Sequence, residues 1–247
     1  MNNYYLKNKI VLITGAGKGI GFDLAKKLNE NNVYSYCIVK SKEDLKKFKK
    51  LKNCFSKKGD ICKISDIKKI FKLAKKNKHN INCLVNNAGQ RQRIKFKYLS
   101  EEKLRDIFEV NFFAQFNCIK EFIKNFKGKE SGSIVNIGSI VGQVGFKELL
   151  GYASTKMALM GLNRCLALEF AKKNIRSNII NPGFIKTSYF NKFKRKKKLY
   201  NWTLNNIPLG RWGETREISE LICFLLSDKS SYINGENINI DGGWLSS

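Results

Sequence analysis

Short runs of apolar, largely β-branched residues alternate along the chain with longer amphipathic segments. This alternation predicts parallel βαβ units, because strands covered on both faces are continuously apolar and crossover helices pack one apolar face on them. The apolar runs predict seven strands, at 10–14, 34–39, 54–58 (a weak one), 82–86, 133–138, 175–180 and 236–240. The amphipathic segments predict helices near 19–31, 42–52, 65–77, 101–126, 152–173 and 214–227.

These elements form one uninterrupted series. No linker rich in proline or glycine and no internal repeat divides the 247 residues. We therefore expect a single α/β domain over residues 1–247, a Rossmann-like doubly wound parallel sheet of about seven strands with helices on both faces. Only residues 184–210 form a long segment without clear periodicity, and that length predicts a functional loop or lid.

The composition narrows the class of protein further. The longest apolar runs, IVLI at 10–13 and LICFLL at 221–226, are too short to cross a bilayer, so no membrane span is expected. The first residues lack the long apolar core and small-residue cleavage site of a signal peptide. We expect a cytoplasmic protein.

The cysteines and the single histidine argue against metal or disulfide chemistry. The seven cysteines are dispersed without a CxxC pair, and several of them lie within apolar runs as small buried hydrophobes. His79 is the only histidine, so a histidine-based triad or metal site is not expected either. The sequence predicts no bound metal.

The formal net charge of +27 would attract nucleic acid, an acidic membrane surface or an acidic partner. The lysines, however, are spread along the whole chain together with many asparagines and isoleucines, which favours a bias in residue usage. No nucleic-acid-binding motif accompanies the charge. We therefore expect no specific nucleic-acid partner.

A glycine-rich turn, TGAGKGIG at 14–21, joins the first predicted strand to the first predicted helix. Closely spaced glycines let a backbone turn tightly and approach a pyrophosphate, and the N–H groups of the following helix can bind that anion. The pattern G-x-G-x-x-G does not match, because Ile20 stands at the third glycine position. The pattern T-G-x-x-x-G-x-G does match, through Thr14, Gly15, Gly19 and Gly21.

A tyrosine and a lysine lie four residues apart in GYASTKMALMG at 151–161. On a helix, Tyr152 and Lys156 share one face and lie one turn apart. As an isolated pair they would indicate two amphipathic side chains at the edge of a core. The chemical alternative depends on what else the sequence places with them.

Six motifs in order give the chain a resemblance to the short-chain dehydrogenase/reductase family, in its short single-domain form. They are TGAGKGIG, NNAG at 86–89, Asn111 in EVNFFAQF, Ser139 in NIGSIVG, YASTK at 152–156 and NPGFIKT at 181–187. The resemblance covers essentially the whole chain and is greatest to 3-oxoacyl-carrier-protein reductases. Many sugar and alcohol dehydrogenases share the same pattern, so they stay open as alternatives.

The resemblance implies a catalytic set of four residues. Tyr152 would exchange a proton with the substrate oxygen while a hydride moves to or from the carbon. Lys156 would lower the pKa of that phenol and bind the nicotinamide ribose. Ser139 would hold the substrate oxygen and stabilise its developing charge, and Asn111 would support the lysine through a water relay.

The resemblance also implies a nicotinamide dinucleotide cofactor. Relatives that use NAD usually carry an acid at the end of the second strand, where this chain has Lys40 and Ser41. With Lys18 in the glycine turn, this favours NADP(H), and NAD(H) stays possible. The residues expected to bind the cofactor are Gly15, Gly17, Lys18, Gly19, Ile20, Gly21, Lys40, Ser41, Asp60, Ile61, Asn87, Ala88, Gly89, Tyr152, Lys156, Pro182, Gly183, Ile185 and Thr187.

The substrate and the assembly are less defined. The basic run FNKFKRKKKLY at 190–200 falls where the family has its substrate lid; it is either a solvated charged segment or a surface for an anionic or carrier-protein-linked carbonyl substrate. The family commonly forms homotetramers through two long helices, for which 101–126 and 152–173 have the length. A non-catalytic dinucleotide-binding sensor or scaffold is the weaker alternative, since such members commonly lose the tyrosine or the lysine.

Overall fold

The fold was analysed in a computed structural model that describes residues 6–188 and 190–246. The predicted domain also includes residues 1–5, 189 and 247, which lie outside the described residues. Of these, residue 189 belongs to the predicted lid. The strands, in chain order, are β1 (Ile10–Thr14), β2 (Tyr34–Val39), β3 (Cys54–Lys58), β4 (Cys83–Asn86), β5 (Gly132–Ile137), β6 (Ile175–Pro182), β7 (Ile185–Lys186), β8 (Gly213–Glu214) and β9 (Asn237–Ile240).

Seven of these strands form one parallel sheet in the order β3-β2-β1-β4-β5-β6-β9. They are the seven strands that the apolar runs predict, within one or two residues at each end. The chain builds the sheet outward from β1 to β3 and then continues on the other side of β1 with β4. A crevice therefore opens beyond the carboxyl ends of β1 and β4, where the direction of winding reverses. The short strands β7 and β8 pair with each other in a separate ladder.

The helices cover both faces of the sheet. They are α1 (Gly19–Glu30), α2 (Lys42–Lys47), α3 (Ile64–Lys76), α4 (Glu101–Phe108), α5 (Ala114–Asn125), α6 (Leu150–Phe170), α7 (Phe190–Lys194), α8 (Lys197–Asn205) and α9 (Thr215–Leu226). On one face, α1 and α9 bury an apolar stripe that includes Leu24, Leu28 and Ile222. On the opposite face, α3, α5 and α6 form a second core. The doubly wound α/β fold class is confirmed.

Two predicted helices differ from the observed ones. The helix expected at 42–52 ends at Lys47, and a 3-10 turn follows at Phe48–Lys50. The tighter turn places Phe48 in the core, where its ring meets Phe22 edge to face at 5.3 Å. The helix expected at 101–126 is interrupted between α4 and α5 by a π-helical turn at Glu109–Phe113.

The segment 184–210 also has more regular structure than its sequence pattern predicts. Its described residues contain the strand β7 and the helices α7 and α8. These elements are too short for the sequence to show a strand or helix period. None of the described helices is both long and apolar enough to cross a lipid bilayer.

Candidate active site

The glycine-rich turn connects β1 to α1 with a backbone that favours glycine. Gly15 and Gly19 have φ values of +63° and +55°, in the left-handed region. A Cβ on Gly15 would come within 2.6 Å of the Cα of Ala88, so the two loops approach too closely for a side chain. The N-terminus of α1 has neither a side-chain cap nor an acid in its first turn. Its free N–H groups are therefore available to an anion.

A cleft of about 720 Å³ opens over this turn at the carboxyl edge of the sheet. Most of the residues predicted to bind the cofactor line it together: Gly15, Gly17, Lys18, Gly19, Ile20, Lys40, Ser41, Asp60, Ile61, Asn87, Ala88, Gly89 and Thr187. The volume and the glycine-lined floor fit a dinucleotide. The sequence reasoning missed Ile38, Asp44, Gly59, Gln90, Val110 and Ser188, which line it too.

Six predicted cofactor residues do not line this cleft: Tyr152 and Lys156, described below, and Gly21, Pro182, Gly183 and Ile185. Gly21 lies behind the turn, where a Cβ would collide with the Asn87 side chain and the Gly15 carbonyl. It allows α1 to pack closely, which is a supporting role. Gly183 lies against Asp241, and Pro182 is buried within β6. Ile185 borders a separate small cavity with Gly213 and Ile218.

Hydrogen bonds fix the NNAG segment to the glycine-rich turn. The Asn87 side-chain amide donates to the carbonyls of Thr14 and Gly15, at 3.1 and 3.0 Å. The Thr14 hydroxyl accepts from the N–H groups of Asn87 and Ala88, each at 3.1 Å. From the other side, Gln115 Nε2 donates to the Ala88 carbonyl at 2.9 Å. The floor of the cleft is thus preorganised by bonds within the protein.

Charged groups of both signs surround the end of the cleft next to β2. Lys40 lies 3.9 Å from Asp60 and its side chain is 84% exposed. Asp44, in the first turn of α2, places its carboxyl group against Gly17 and is ion-paired with Lys47 at 2.6 Å. The end of β2 itself carries no acid, as the sequence argument states, but Asp44 in α2 brings one to the same end of the cleft. The pattern Ser41-x-x-Asp44, typical of a helix N-terminus, could have drawn attention to it.

Ser139, Tyr152 and Lys156 come together beside the cleft. Ser139 follows β5 and hydrogen-bonds with Tyr152, which lies in the first turn of α6. The Lys156 ammonium lies 5.7 Å from the centre of the Tyr152 ring and donates to the Ile137 carbonyl at 2.7 Å. A Cβ on Gly89, in the cleft wall, would lie 3.6 Å from that ammonium. The structure therefore joins the predicted catalytic residues to the predicted cofactor site.

Burial shifts the pKa of both helical residues. Desolvation raises the pKa of Tyr152 above 10.0, although the hydrogen bond with Ser139 and the charge of Arg91 act in the opposite direction. Desolvation also lowers the pKa of Lys156 to about 8. The expectation that the pKa of Tyr152 is lowered is not met, because burial dominates. Arg91 was not among the predicted residues, and no motif marks it.

Asn111 is buried in the π-helical turn between α4 and α5. Its Oδ1 accepts from the Gln90 N–H at 2.7 Å, and its Nδ2 donates to the Gln90 carbonyl at 2.8 Å and to Thr155 Oγ1 at 3.1 Å. Thr155 in turn donates to the carbonyl of Tyr152 at 2.7 Å. π-Helical turns occur often at functional sites, since the extra residue redirects a side chain. Here the redirected amide links the NNAG loop to α6.

An aromatic cluster borders the tyrosine. Phe184 and Trp244 pack in one apolar group with Tyr152, and their rings lie 4.9 Å apart. Phe184 also contacts Trp212, whose Nε1 donates to Thr203 Oγ1 at 2.8 Å. The rings of Phe190, Phe193 and Tyr200 complete the packing around Trp212. Residues of α7 and α8 are thereby anchored next to the candidate catalytic side chains.

Comparisons with known proteins show the family of this chain. A family model described as Enoyl-(Acyl carrier protein) reductase matches residues 15–245. A 3-oxoacyl-(acyl-carrier-protein) reductase FabG of Buchnera aphidicola subsp. Schizaphis graminum is 34% identical, over 96% of this chain and 98% of that protein. A 2-dehydro-3-deoxy-D-gluconate 5-dehydrogenase of Dickeya dadantii is 33% identical, over 99% and 98% respectively. The solved structure of 4-hydroxyisoleucine dehydrogenase complexed with NADH matches with a TM-score of 0.90 and 32% identity, over 97% of this chain and 99% of that one.

Proposed function

The chain belongs to the short-chain dehydrogenase/reductase family of oxidoreductases, and we propose that it reduces a ketone to a secondary alcohol with NADPH. We propose a 3-oxoacyl group on an acyl-carrier protein as the substrate, in line with the names of the FabG relatives. One observation carries the proposal: Ser139, Tyr152 and Lys156 meet beside Gly89 in the wall of a dinucleotide-sized cleft.

In the proposed mechanism, Tyr152 is the proton donor. A nicotinamide cofactor held in the cleft would supply the hydride for the carbonyl carbon. The Tyr152 hydroxyl gives its proton to the carbonyl oxygen, and its raised pKa keeps it protonated at neutral pH, as an acid requires. The Ser139 hydroxyl holds the same oxygen and stabilises the charge that develops there. In the reverse reaction the tyrosine takes the proton back.

Lys156 and Asn111 support the tyrosine in this mechanism. The ammonium of Lys156, mostly protonated below pH 8, lies near the ring and would bind the nicotinamide ribose. Its charge would stabilise the phenolate once the site is filled. Asn111 holds Gln90 and Thr155 in place, and we retain its role in a water relay to the lysine.

The proposed cofactor preference is NADPH over NADH. The residues assigned to the dinucleotide are those that line the cleft, with Tyr152 and Lys156 at its nicotinamide end. Lys18, Lys40 and Ser41 would receive the 2′-phosphate, because two cations and a hydroxyl suit that group. A supporting role behind the cleft surface, without contact to the cofactor, is left for Gly21, Pro182, Gly183 and Ile185.

We propose that residues 1–247 form one domain and that 184–210 acts as its substrate lid. The aromatic cluster gives that lid an apolar inner surface next to Tyr152, suited to an acyl chain. On its outer side, six basic residues lie between 192 and 198, and none of them forms an ion pair with an acid among the described residues. An acidic carrier protein would be attracted to these charges.

The dehydrogenation of a sugar acid is the second candidate. It rests on the 33% identity with the Dickeya dadantii enzyme, which is named for a substrate that carries a carboxylate. A small anion and an acidic carrier protein would both meet the basic lid. A non-catalytic dinucleotide sensor is the weakest candidate, because this chain keeps Asn111, Ser139, Tyr152 and Lys156.

The test compares two ketones with NADPH at increasing salt, a 3-oxoacyl group on an acyl-carrier protein and the same group on neutral pantetheine. A parallel assay measures oxidation of the keto-deoxy sugar acid with NADP⁺ as the hydride acceptor. We expect NADPH consumption to be fastest with the carrier-linked ketone. Its kcat/KM should fall steeply with salt, whereas that of the pantetheine ketone should change little. Faster turnover of the sugar acid would favour the second candidate. Equal rates on both acyl substrates at every salt concentration would remove the carrier from the proposal.

The remaining proposals concern assembly and location. We propose a homotetramer that forms through the long helical faces of α4, α5 and α6, as is common in this family. Large apolar side chains stay exposed on these helices and on the π-helical turn between α4 and α5, including Phe113, Phe116 and Met157. We also propose that the protein acts in the cytoplasm, without a specific nucleic-acid partner.

A further inference from the structure

The cleft contains an acid that the usual pattern of the family does not place there. Asp44 lies in the first turn of α2, four residues beyond Lys40, and its carboxyl group rests on the second glycine of the turn. A Cβ on Gly17 would lie 2.6 Å from the Asp44 Cγ. Lys47 binds both partners, since its ammonium donates to Asp44 Oδ1 at 2.6 Å and to the Gly17 carbonyl at 2.9 Å.

Local helix structure accounts for one contact of this carboxylate, the hydrogen bond with the Ser41 side chain at the N-cap of α2, but not for its contact with Gly17. The N-cap of α2 uses the backbone N–H of Asp44, which donates to Ser41 Oγ at 3.0 Å, so the cap needs no side chain at position 44. The pair of Asp44 with Lys47, three residues apart on a helix, contributes only a few tenths of a kcal/mol. A neutral residue at 44 would therefore leave α2 intact.

The carboxylate is charged at neutral pH. Lys47, Ser41 and Lys18 together hold the pKa of Asp44 below its ordinary value, with the hydrogen bond from Lys47 as the largest cause. The end of β2 and the adjoining glycine turn are where Rossmann proteins hold the adenosine ribose, and there a carboxylate binds the 2′-hydroxyl. NADPH differs from NADH by a phosphate at that hydroxyl, with a charge of nearly −2.

We propose that Asp44 is a specificity-determining residue that opposes the 2′-phosphate and accepts a hydrogen bond from the free 2′-hydroxyl. Lys18, Lys40 and Ser41 favour NADPH, and Asp44 limits that preference so that the protein also binds NADH. The inference rests on the proposed binding of a nicotinamide dinucleotide. The relative affinity for NADPH and NADH then depends on one negative charge, the Asp44 carboxylate that lies against Gly17.

The test measures binding rather than turnover. Titration calorimetry gives Kd values for NADPH and NADH, and for adenosine 2′,5′-bisphosphate and AMP, a pair that differs only in the 2′-phosphate. The proteins are the wild type, Asp44→Asn and the control Glu43→Gln. The control removes the same charge from the same helical turn, at an exposed residue outside the cleft lining.

We expect Asp44→Asn to raise the preference for the 2′-phosphorylated member of each pair about tenfold relative to Glu43→Gln, because the phosphate no longer faces a carboxylate. Lys47→Gln should shift the preference in the opposite direction. The inference is overturned if the preference of Asp44→Asn for the 2′-phosphorylated nucleotide lies within twofold of the preference of Glu43→Gln. In that case an unchanged Kd for AMP shows that the binding site is intact. If the wild type binds none of the four nucleotides, the proposed function itself fails.

Discussion

Lys156 is an ammonium group enclosed by the fold. It is 3% exposed, and burial lowers its pKa from 10.5 to about 8. At neutral pH the folded protein therefore carries this charge at a cost of about 3 kcal/mol relative to the unfolded chain. An apolar residue of similar length would avoid that cost. The position is explained by the proposed chemistry rather than by stability.

The first prediction concerns Lys156→Met. The ligand-free variant should be more stable than the wild type at pH 7, by up to about 3 kcal/mol, and should lack turnover. Above pH 8 the folded wild type sheds this proton while the unfolded chain keeps it until pH 10.5, so the wild type gains stability there. The difference between the two proteins, from urea unfolding, should thus shrink as pH rises from 8 to 10.5. A difference that stays constant over this range contradicts the buried-charge account.

The residue scale also shows what the sequence could not supply. The spacing of Tyr152 and Lys156 and the motif order predicted which side chains meet. The direction of the Tyr152 pKa shift was predicted wrongly, because spacing does not report how deeply a group is buried. Arg91 and Asp44 were missed for a related reason: their place at the site depends on how loops fold back.

At the scale of elements, the π-helical turn at Glu109–Phe113 is the feature with most effect on the site. This turn contains one residue more than an α-helical turn, in an otherwise continuous helix, and it directs the Asn111 side chain inward. The side chain then bonds both backbone groups of Gln90 and the hydroxyl of Thr155. Hydrophobic periodicity predicted one helix over 101–126, since a single-turn bulge shifts the period too little to be seen.

The second prediction concerns Asn111→Ala. Losing three hydrogen bonds from a buried amide should lower the free energy of unfolding by about 1–3 kcal/mol. It should also speed hydrogen exchange at the Gln90 amide, whose acceptor is removed. Asn117→Ala, a half-buried asparagine in α5, is the control. Equal exchange at Gln90 in both variants would show that Asn111 does not hold this loop.

Most elements of the fold were predictable from the chain. The five central strands of the sheet are buried on both faces or nearly so, and their apolar runs are therefore distinct. The edge strands β3 and β9 are partly exposed. By contrast, α7 and α8 are short and rich in lysine, so their position depends on contacts with Trp212, distant in sequence. Local patterns carry no information on such contacts, and 184–210 was predicted only as a loop or lid.

At the scale of the whole molecule, the exposed apolar side chains on the helical face bear on assembly. Phe113, Phe116 and Met157 are 48%, 37% and 50% exposed, on elements that pack against one another. With a net charge of +27, non-specific association between chains is opposed, so any stable assembly needs a defined apolar contact.

The third prediction is that light scattering gives the mass of four 28.4-kDa chains and that Phe116→Glu lowers it. A carboxylate in a desolvated contact costs several kcal/mol, enough to dissociate the assembly. Ile64→Glu is the control, because Ile64 is 44% exposed at the start of α3, a helix that is not part of the proposed contact. A wild-type protein with the mass of one chain would contradict the proposed tetramer.

The central claim is that Tyr152 donates the proton, and Tyr152→Phe tests it most directly. The substitution removes the hydroxyl and keeps the ring, so the Kd for NADPH should stay within about threefold of the wild-type value. Turnover of the 3-oxoacyl substrate should fall about 10²–10⁴-fold or more. Tyr98→Phe, at a tyrosine that is 60% exposed, should leave both quantities unchanged. Near-normal turnover in Tyr152→Phe, with NADPH still bound, would contradict the account.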